Sequence, residues 1–197
     1  YGSQMRDHNW RRGGYQDINV ARSLEVSSNI GVSYVIDKFY HNNPEKYVGG
    51  LYRVGINEDL KLPISGYHPP KIRMPQKNKR GKYTNWSKTS LPWMSIGYET
   101  QIAPINTVTF YNAIANDGKM MRPRFVKQVV KDGVVIKDFP PEVIKEQIAK
   151  PEAIATMQTM LEHVVSQGLG KKAGSKLFKV AGKTGTAQVS QGKGGYK

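Results

Sequence analysis

Hydrophobic positions recur at helical spacing in four stretches of the 197-residue chain and in strand-like runs in three others. Val20 and Leu24 lie four apart within Ile18 to Val26, which predicts a short helix. Ile30, Tyr34, Val35 and Phe39 follow as one helical face, ending near His41-Asn42-Asn43-Pro44. Ser27 or Ser28 is placed to cap that helix, because a hydroxyl there accepts the open amides of a first turn. Pro104 stands at a first helical position, Ile105, Val108, Tyr111 and Ile114 form one face, and Asn116-Asp117-Gly118 stops the helix. Pro151 opens a further helix with Ile154, Met157, Leu161, Val164 and Val165 on one side and Gly168 at its end. Phe125 to Val130 and Val134 to Ile136 flank Lys131-Asp132-Gly133, a strong hairpin signal. Leu177 to Val189 reads as a strand interrupted by Gly182 and Gly185. Residues 1–17 are polar and read as loop, Gly170 to Lys176 as a basic loop, and 44–98, rich in Pro, Gly and Asn, as a long irregular insertion.

Composition narrows the class. Apolar residues make up 38% and aromatic residues 10%, which suits a folded protein with long surface loops. The chain holds 30 basic and 15 acidic residues. Its densest positive block is Lys71, Arg73, Lys77, Lys79, Arg80, Lys82 and Lys88, punctuated by Pro69, Pro70, Pro75, Asn78 and Gly81, so it is expected to be a solvated surface loop. No helix-turn-helix or RNA-binding pattern accompanies it, and nucleic acid is not an expected partner. With no cysteine, disulfides and thiolate zinc sites are excluded. No pair among His8, His41, His68 and His163 is spaced i, i+4, so neither a metal nor another cofactor is expected. No apolar run approaches the roughly 20 residues that span a bilayer. Residue 1 is Tyr, so the encoded chain is expected to continue upstream, and any membrane anchor to lie outside these residues.

Two short motifs carry candidate chemistry. Gly182-Lys183-Thr184 first suggests a phosphate-binding loop, but that motif needs a glycine five residues before the Gly-Lys pair, where Leu177 stands. Lys183-Thr184-Gly185-Thr186 instead matches the Lys-Thr-Gly motif of penicillin-recognising serine enzymes. A lysine supplies positive field and a proton-transfer partner beside a hydroxyl. Gly185 leaves room for a peptide against the backbone, and the hydroxyls of Thr184 and Thr186 suit a terminal carboxylate. Ser27-Ser28-Asn29 matches the same family's Ser-x-Asn motif, with a simple helix cap as the bland alternative. The two motifs stand in family order, separated by residues 30–182.

The flanks make the likeness specific. Arg22-Ser23-Leu24-Glu25-Val26-Ser27-Ser28-Asn29-Ile30-Gly31 resembles the second-motif region of class B penicillin-binding proteins, and Val180-Ala181-Gly182-Lys183-Thr184-Gly185-Thr186-Ala187-Gln188 the third. Ser95-Ile96-Gly97-Tyr98 through Pro104, Phe110-Tyr111-Asn112-Ala113-Ile114-Ala115-Asn116-Asp117-Gly118, and then Pro123 and Val126, resemble the family's intervening helix and the strand after it. The Phe-Tyr-Asn-Ala wording leans toward the cell-division type of peptidoglycan D,D-transpeptidase over the elongation type.

The resemblance implies a mixed α/β (α+β) transpeptidase fold of the serine β-lactamase kind, incomplete in residues 1–197: an antiparallel sheet flanked by helices, plus a helical lobe. It implies Ser27, Asn29 and Lys183 as catalytic residues converging in space, and Thr184, Gly185 and Thr186 as substrate-binding residues. Ser27 would shuttle a proton to the leaving group and Asn29 would hold the substrate backbone. The implied reaction crosslinks cell-wall stem peptides through a serine acyl-enzyme, on the extracytoplasmic side of the bacterial inner membrane. β-Lactams would act as substrate mimics, and membrane proteins of division or wall synthesis as partners. The family's Ser-x-x-Lys motif, which carries the attacking serine, has no counterpart before Ser27; the one occurrence, Ser190-Gln191-Gly192-Lys193, follows the third motif and is read as coincidence. The chain alone is therefore expected to be inactive. A D,D-carboxypeptidase, a serine β-lactamase and a non-enzymatic β-lactam sensor remain open as alternatives.

Overall fold

The computed structural model describes residues 4–185, which fall into two units: residues 4–31 with 159–185, and residues 32–158. The helices are α1 (Val20–Glu25), α2 (Asn29–Tyr40), α3 (Pro44–Arg53), α4 (Ser90–Ser95), α5 (Pro104–Ala115) and α6 (Pro151–Ser166). The strands are β1 (Lys71–Ile72), β2 (Thr100–Gln101), β3 (Met120–Met121), β4 (Gln128–Lys131), β5 (Val134–Asp138) and β6 (Val143–Lys145). The mixed helical and antiparallel class expected from the sequence is present. Among the described residues its sheet is three two-stranded ribbons, β1–β2, β3–β6 and β4–β5.

In the 32–158 unit, Val48, Ile72 and Met94 form a buried cluster, against which Leu51, Tyr52, Met74, Trp86 and Ile102 pack. The stretch 44–98 thus contains α3 and α4, and its irregular parts lie around them. The Tyr52 hydroxyl donates to the Ile72 carbonyl at 2.6 Å, fastening β1 to α3. Residues 69–88 are surface loop with short β contacts, as their composition predicts, although Ile72 and Pro75 turn inward. Two cations of the basic block work structurally: Lys77 pairs with Glu45 at 3.1 Å, and Arg73 pairs with Glu99 and stacks over Trp86.

Two helical faces differ from the expected ones. On α2, Ile30, Tyr34 and Phe39 are 49%, 66% and 70% exposed, and the small Ser33 is the buried residue. On α5, Val108 is exposed while Asn106 and Thr109 are buried beside Ala113 and Ile114. Hydrogen bonds offset part of the cost of that burial: Asn106 Nδ2 donates to the Glu58 carbonyl and Thr109 Oγ1 to the Ile105 carbonyl, both at 2.8 Å, while Asn106 Oδ1 is buried without a partner. On α6, Ile154, Leu161, Val164 and Val165 are buried as the periodicity predicts.

The expected strand from Leu177 is absent as far as Gly185; the remainder of that stretch lies outside the described residues. A strand needs a neighbouring edge for its backbone groups, and no described strand pairs with this segment. A backbone bond from this segment runs to helix α6 instead, from Gly182 N–H to the Leu161 carbonyl at 3.1 Å.

Candidate active site

The site begins at the end of α1. Ser28 N–H donates to the Ser23 carbonyl at 2.8 Å and Ser27 N–H to the Leu24 carbonyl at 3.1 Å. This crossed pair is a Schellman motif, which places one residue in the left-handed region, usually a glycine. Here that residue is Ser27, at φ 53°. A side chain in this conformation costs about 1–2 kcal/mol, and such strain collects at functional positions.

The next residue caps α2. Ser28 Oγ accepts from Gly31 N–H at 2.9 Å, so Ser28 is the cap and Ser27 is left for other use. Asp7, only 5% exposed, locks the turn from the other side. Its Oδ2 accepts from Ser28 Oγ at 2.7 Å and its Oδ1 from Ile30 N–H at 3.1 Å. Both oxygens of a buried carboxylate are thereby satisfied at a helix N-terminus, where negative charge is favoured.

Lys183 reaches this turn. Its Nζ donates to Ser27 Oγ at 2.5 Å, to the Thr184 carbonyl at 3.1 Å and to Thr184 Oγ1 at 3.3 Å. Burial pushes the Lys183 ammonium below the ordinary lysine value, because desolvation disfavours the charged form. A lysine with a depressed pKa in contact with a hydroxyl takes up and returns a proton more readily than an exposed lysine does. Ser27 and Lys183 are thus brought together from 156 positions apart, with Thr184 beside them. Asn29 stands in the same turn, but its Nδ2 donates to the Arg6 carbonyl at 3.2 Å, and no contact with Lys183 is recorded. Gly185 is exposed, with nothing within 4 Å of where a Cβ would lie. Thr186, and the Ser190 to Lys193 match, lie outside the described residues.

Three groups of the site escape sequence reasoning: Asp7, Glu25 and His163. Glu25 is 6% exposed and pairs with Arg22 Nη1 at 3.0 Å and with His163 Nδ1 at 3.2 Å. The Glu25–His163 contact spans 138 positions, so no local spacing announces it.

Residues 1–197 match the penicillin binding protein transpeptidase domain family. Penicillin-binding protein PbpB of Mycolicibacterium smegmatis is 28% identical over 174 residues, 82% of this chain and 24% of that protein. Peptidoglycan D,D-transpeptidase FtsI of Escherichia coli is 27% identical over 180 residues, 88% of this chain and 26% of that protein. The chain thus spans about a quarter of the length of these relatives. Among solved structures, penicillin binding protein 3 of Mycobacterium tuberculosis, complexed with ampicillin, superimposes with a TM-score of 0.72 at 26% identity, covering 93% of this chain and 40% of that one. The transpeptidase domain of penicillin-binding protein 3 from Burkholderia pseudomallei gives a TM-score of 0.71 at 26% identity, with 93% and 50% covered.

Proposed function

Because this chain belongs to the penicillin binding protein transpeptidase domain family, we propose that it is the proton-relay and substrate-holding part of a serine-type peptidoglycan D,D-transpeptidase of the bacterial envelope. The observation that carries the reading is the 2.5 Å contact between Lys183 Nζ and Ser27 Oγ. In the reaction a serine oxygen bonds to the carbonyl carbon of the penultimate D-alanine of a stem peptide, and the bond to the terminal D-alanine breaks. The departing amine needs a proton. Ser27 supplies it through its hydroxyl and recovers one from Lys183, whose depressed pKa suits exchange. Asn29, whose Nδ2 donates to the Arg6 carbonyl, holds the substrate backbone. Thr184 and Thr186 take the terminal carboxylate, Gly185 admits the peptide, and an acceptor amine of a neighbouring strand then resolves the acyl-enzyme. β-Lactams would acylate the same serine, and wall-synthesis or division membrane proteins would be the partners, on the extracytoplasmic side of the inner membrane. Among the described residues no helix is long and apolar enough to cross a membrane.

No Ser-x-x-Lys precedes Ser27 in these 197 residues, so the attacking serine is assigned to sequence outside them. A fluorescent penicillin tests this. After denaturation, label is expected on a longer protein that includes an upstream Ser-x-x-Lys and not on residues 1–197 alone, and Lys183→Ala should slow labelling of the longer protein by about 100-fold or more. Covalent label on the 197-residue chain at Ser27 or Ser190 would overturn the assignment.

A further inference from the structure

Both halves of the Ser27–Lys183 contact are fastened to the last turns of α6 and the turn that follows it. Gly182, next to Lys183, donates its N–H to the Leu161 carbonyl at 3.1 Å. On the Ser27 side, the Glu25 carbonyl accepts from Leu169 N–H at 3.2 Å, and Arg22 Nη1 donates to the Gln167 carbonyl at 3.2 Å. The Glu25 carboxylate, two residues before Ser27, accepts from His163 Nδ1–H at 3.2 Å. The approach is close: a Cβ at Gly168 would lie 2.2 Å from the Glu25 carbonyl oxygen. Leu161 and His163 are two residues apart on α6, about 3 Å along its axis. Glu25 is buried, and a buried carboxylate is retained only where it is paired.

We infer that the end of α6 together with the turn that follows it, residues 161–169, is a jig that sets the Ser27–Lys183 distance, and that Glu25 and His163 are its positioning residues. The inference deepens the proposed function and rests on that reading. Neither residue touches the relay atoms. Their hydrogen bond fixes the end of α1, hence the Schellman turn, hence Ser27; the Leu161 carbonyl fixes Gly182, hence Lys183. Relay chemistry needs the two atoms within hydrogen-bond reach, and an error of about 1 Å costs on the order of 100-fold in rate. Helix α6 therefore does what neither motif does alone, since each is held to it and not to the other except through the contact being set.

The test uses the full-length protein, with second-order acylation by a fluorescent penicillin and the ¹⁵N-detected titration of the Lys183 ammonium as two readouts. His163→Ala is expected to slow acylation about tenfold or more and to move the Lys183 titration toward that of exposed lysines, as the ammonium gains water. His163→Asn, whose amide places a donor where Nδ1 stands, is expected to restore both to within about threefold. Gly168→Ala, which must push Glu25 away, is expected to behave like His163→Ala. If His163→Ala acylates at the wild-type rate with an unmoved Lys183 titration, or if His163→Asn is as impaired as His163→Ala, the jig is wrong. A wild-type protein that takes up no label would sink the proposed function, and the Lys183 titration would still decide the positioning role.

Discussion

Asp7 and Ser28 share a buried hydrogen bond of 2.7 Å, with the two residues 5% and 2% exposed. Through it the polar start of the chain is made part of the Ser27 turn, since the same carboxylate also takes Ile30 N–H. Replacing Asp7 by Ala removes both acceptors and leaves the buried Ser28 O–H and the part-buried Ile30 N–H without acceptors. Each such loss costs about 1–3 kcal/mol. Asp7→Ala is expected to lower the stability of the described fold by about 3 kcal/mol, read by chemical denaturation. A change under about 0.5 kcal/mol would show that Asp7 is not holding the turn.

The pH dependence at Lys183 has a definite sign. Burial disfavours its charged form, so the folded pKa lies below the ordinary 10.5. At lower pH both folded and unfolded chains carry the proton, and the folded state bears the full cost of the part-buried charge. Between the two values the unfolded chain keeps its proton and the folded chain has lost it, so stability attributable to this group rises with pH through that window. The difference in denaturation midpoint between Lys183→Met and the wild type should therefore shrink as pH climbs toward 10.5. A difference that widens over that range would contradict the burial argument.

Tyr47 works in the opposite direction. Burial, with a smaller contribution from Tyr40, pushes its hydroxyl up to about 12 from 10.0. Above pH 10 the unfolded chain ionises this group first, so stability in the 32–158 unit is lost as pH rises from 10 toward 12. In absorbance titrations one tyrosine is expected to ionise near pH 12, and Tyr47→Phe should remove that late step and flatten the alkaline loss. If every tyrosine ionises near pH 10 in the folded protein, the burial of Tyr47 plays no such part.

The sequence and the structure agree where local chemistry decides. The Asp132-Gly133 hairpin is legible because both residues must adopt positive φ, 50° and 79°, and Asp and Gly tolerate this best. The α5 stop at Asn116-Asp117-Gly118 is legible for the same reason. Ser27 and Lys183 are legible because their motifs are short and contiguous, so the expectation that they meet holds. What periodicity cannot give is which side of a helix turns inward. On α2 and α5, buried Ser33, Asn106 and Thr109 reverse the apolar rule, since small or internally bonded polar residues fit where bulk does not. The strand expected from Leu177 also rested on local pattern, whereas a strand exists only with a partner edge. Asp7, Glu25 and His163 are invisible for a related reason: a carboxylate or imidazole in sequence looks the same whether it is solvated or holds a turn 21 or 138 residues away.

The position of Ser27 sets stability against activity in a way that one substitution separates. The Schellman motif at the end of α1 asks for glycine, and Ser27 sits there at φ 53°. Ser27→Gly relieves the left-handed strain and keeps both backbone bonds, from Ser28 to Ser23 and from Ser27 to Leu24. It also removes the hydroxyl that Lys183 contacts. The variant is expected to be more stable by about 1 kcal/mol, while acylation of the full-length protein by penicillin falls by about 100-fold or more. Ser27→Ala is the control: it loses the hydroxyl and keeps the strained Cβ, so it should match Ser27→Gly in acylation without the gain in stability. Equal stability of the Gly and Ala variants would mean the left-handed conformation costs nothing here. Wild-type acylation in both variants would mean the serine is retained for some purpose other than the relay.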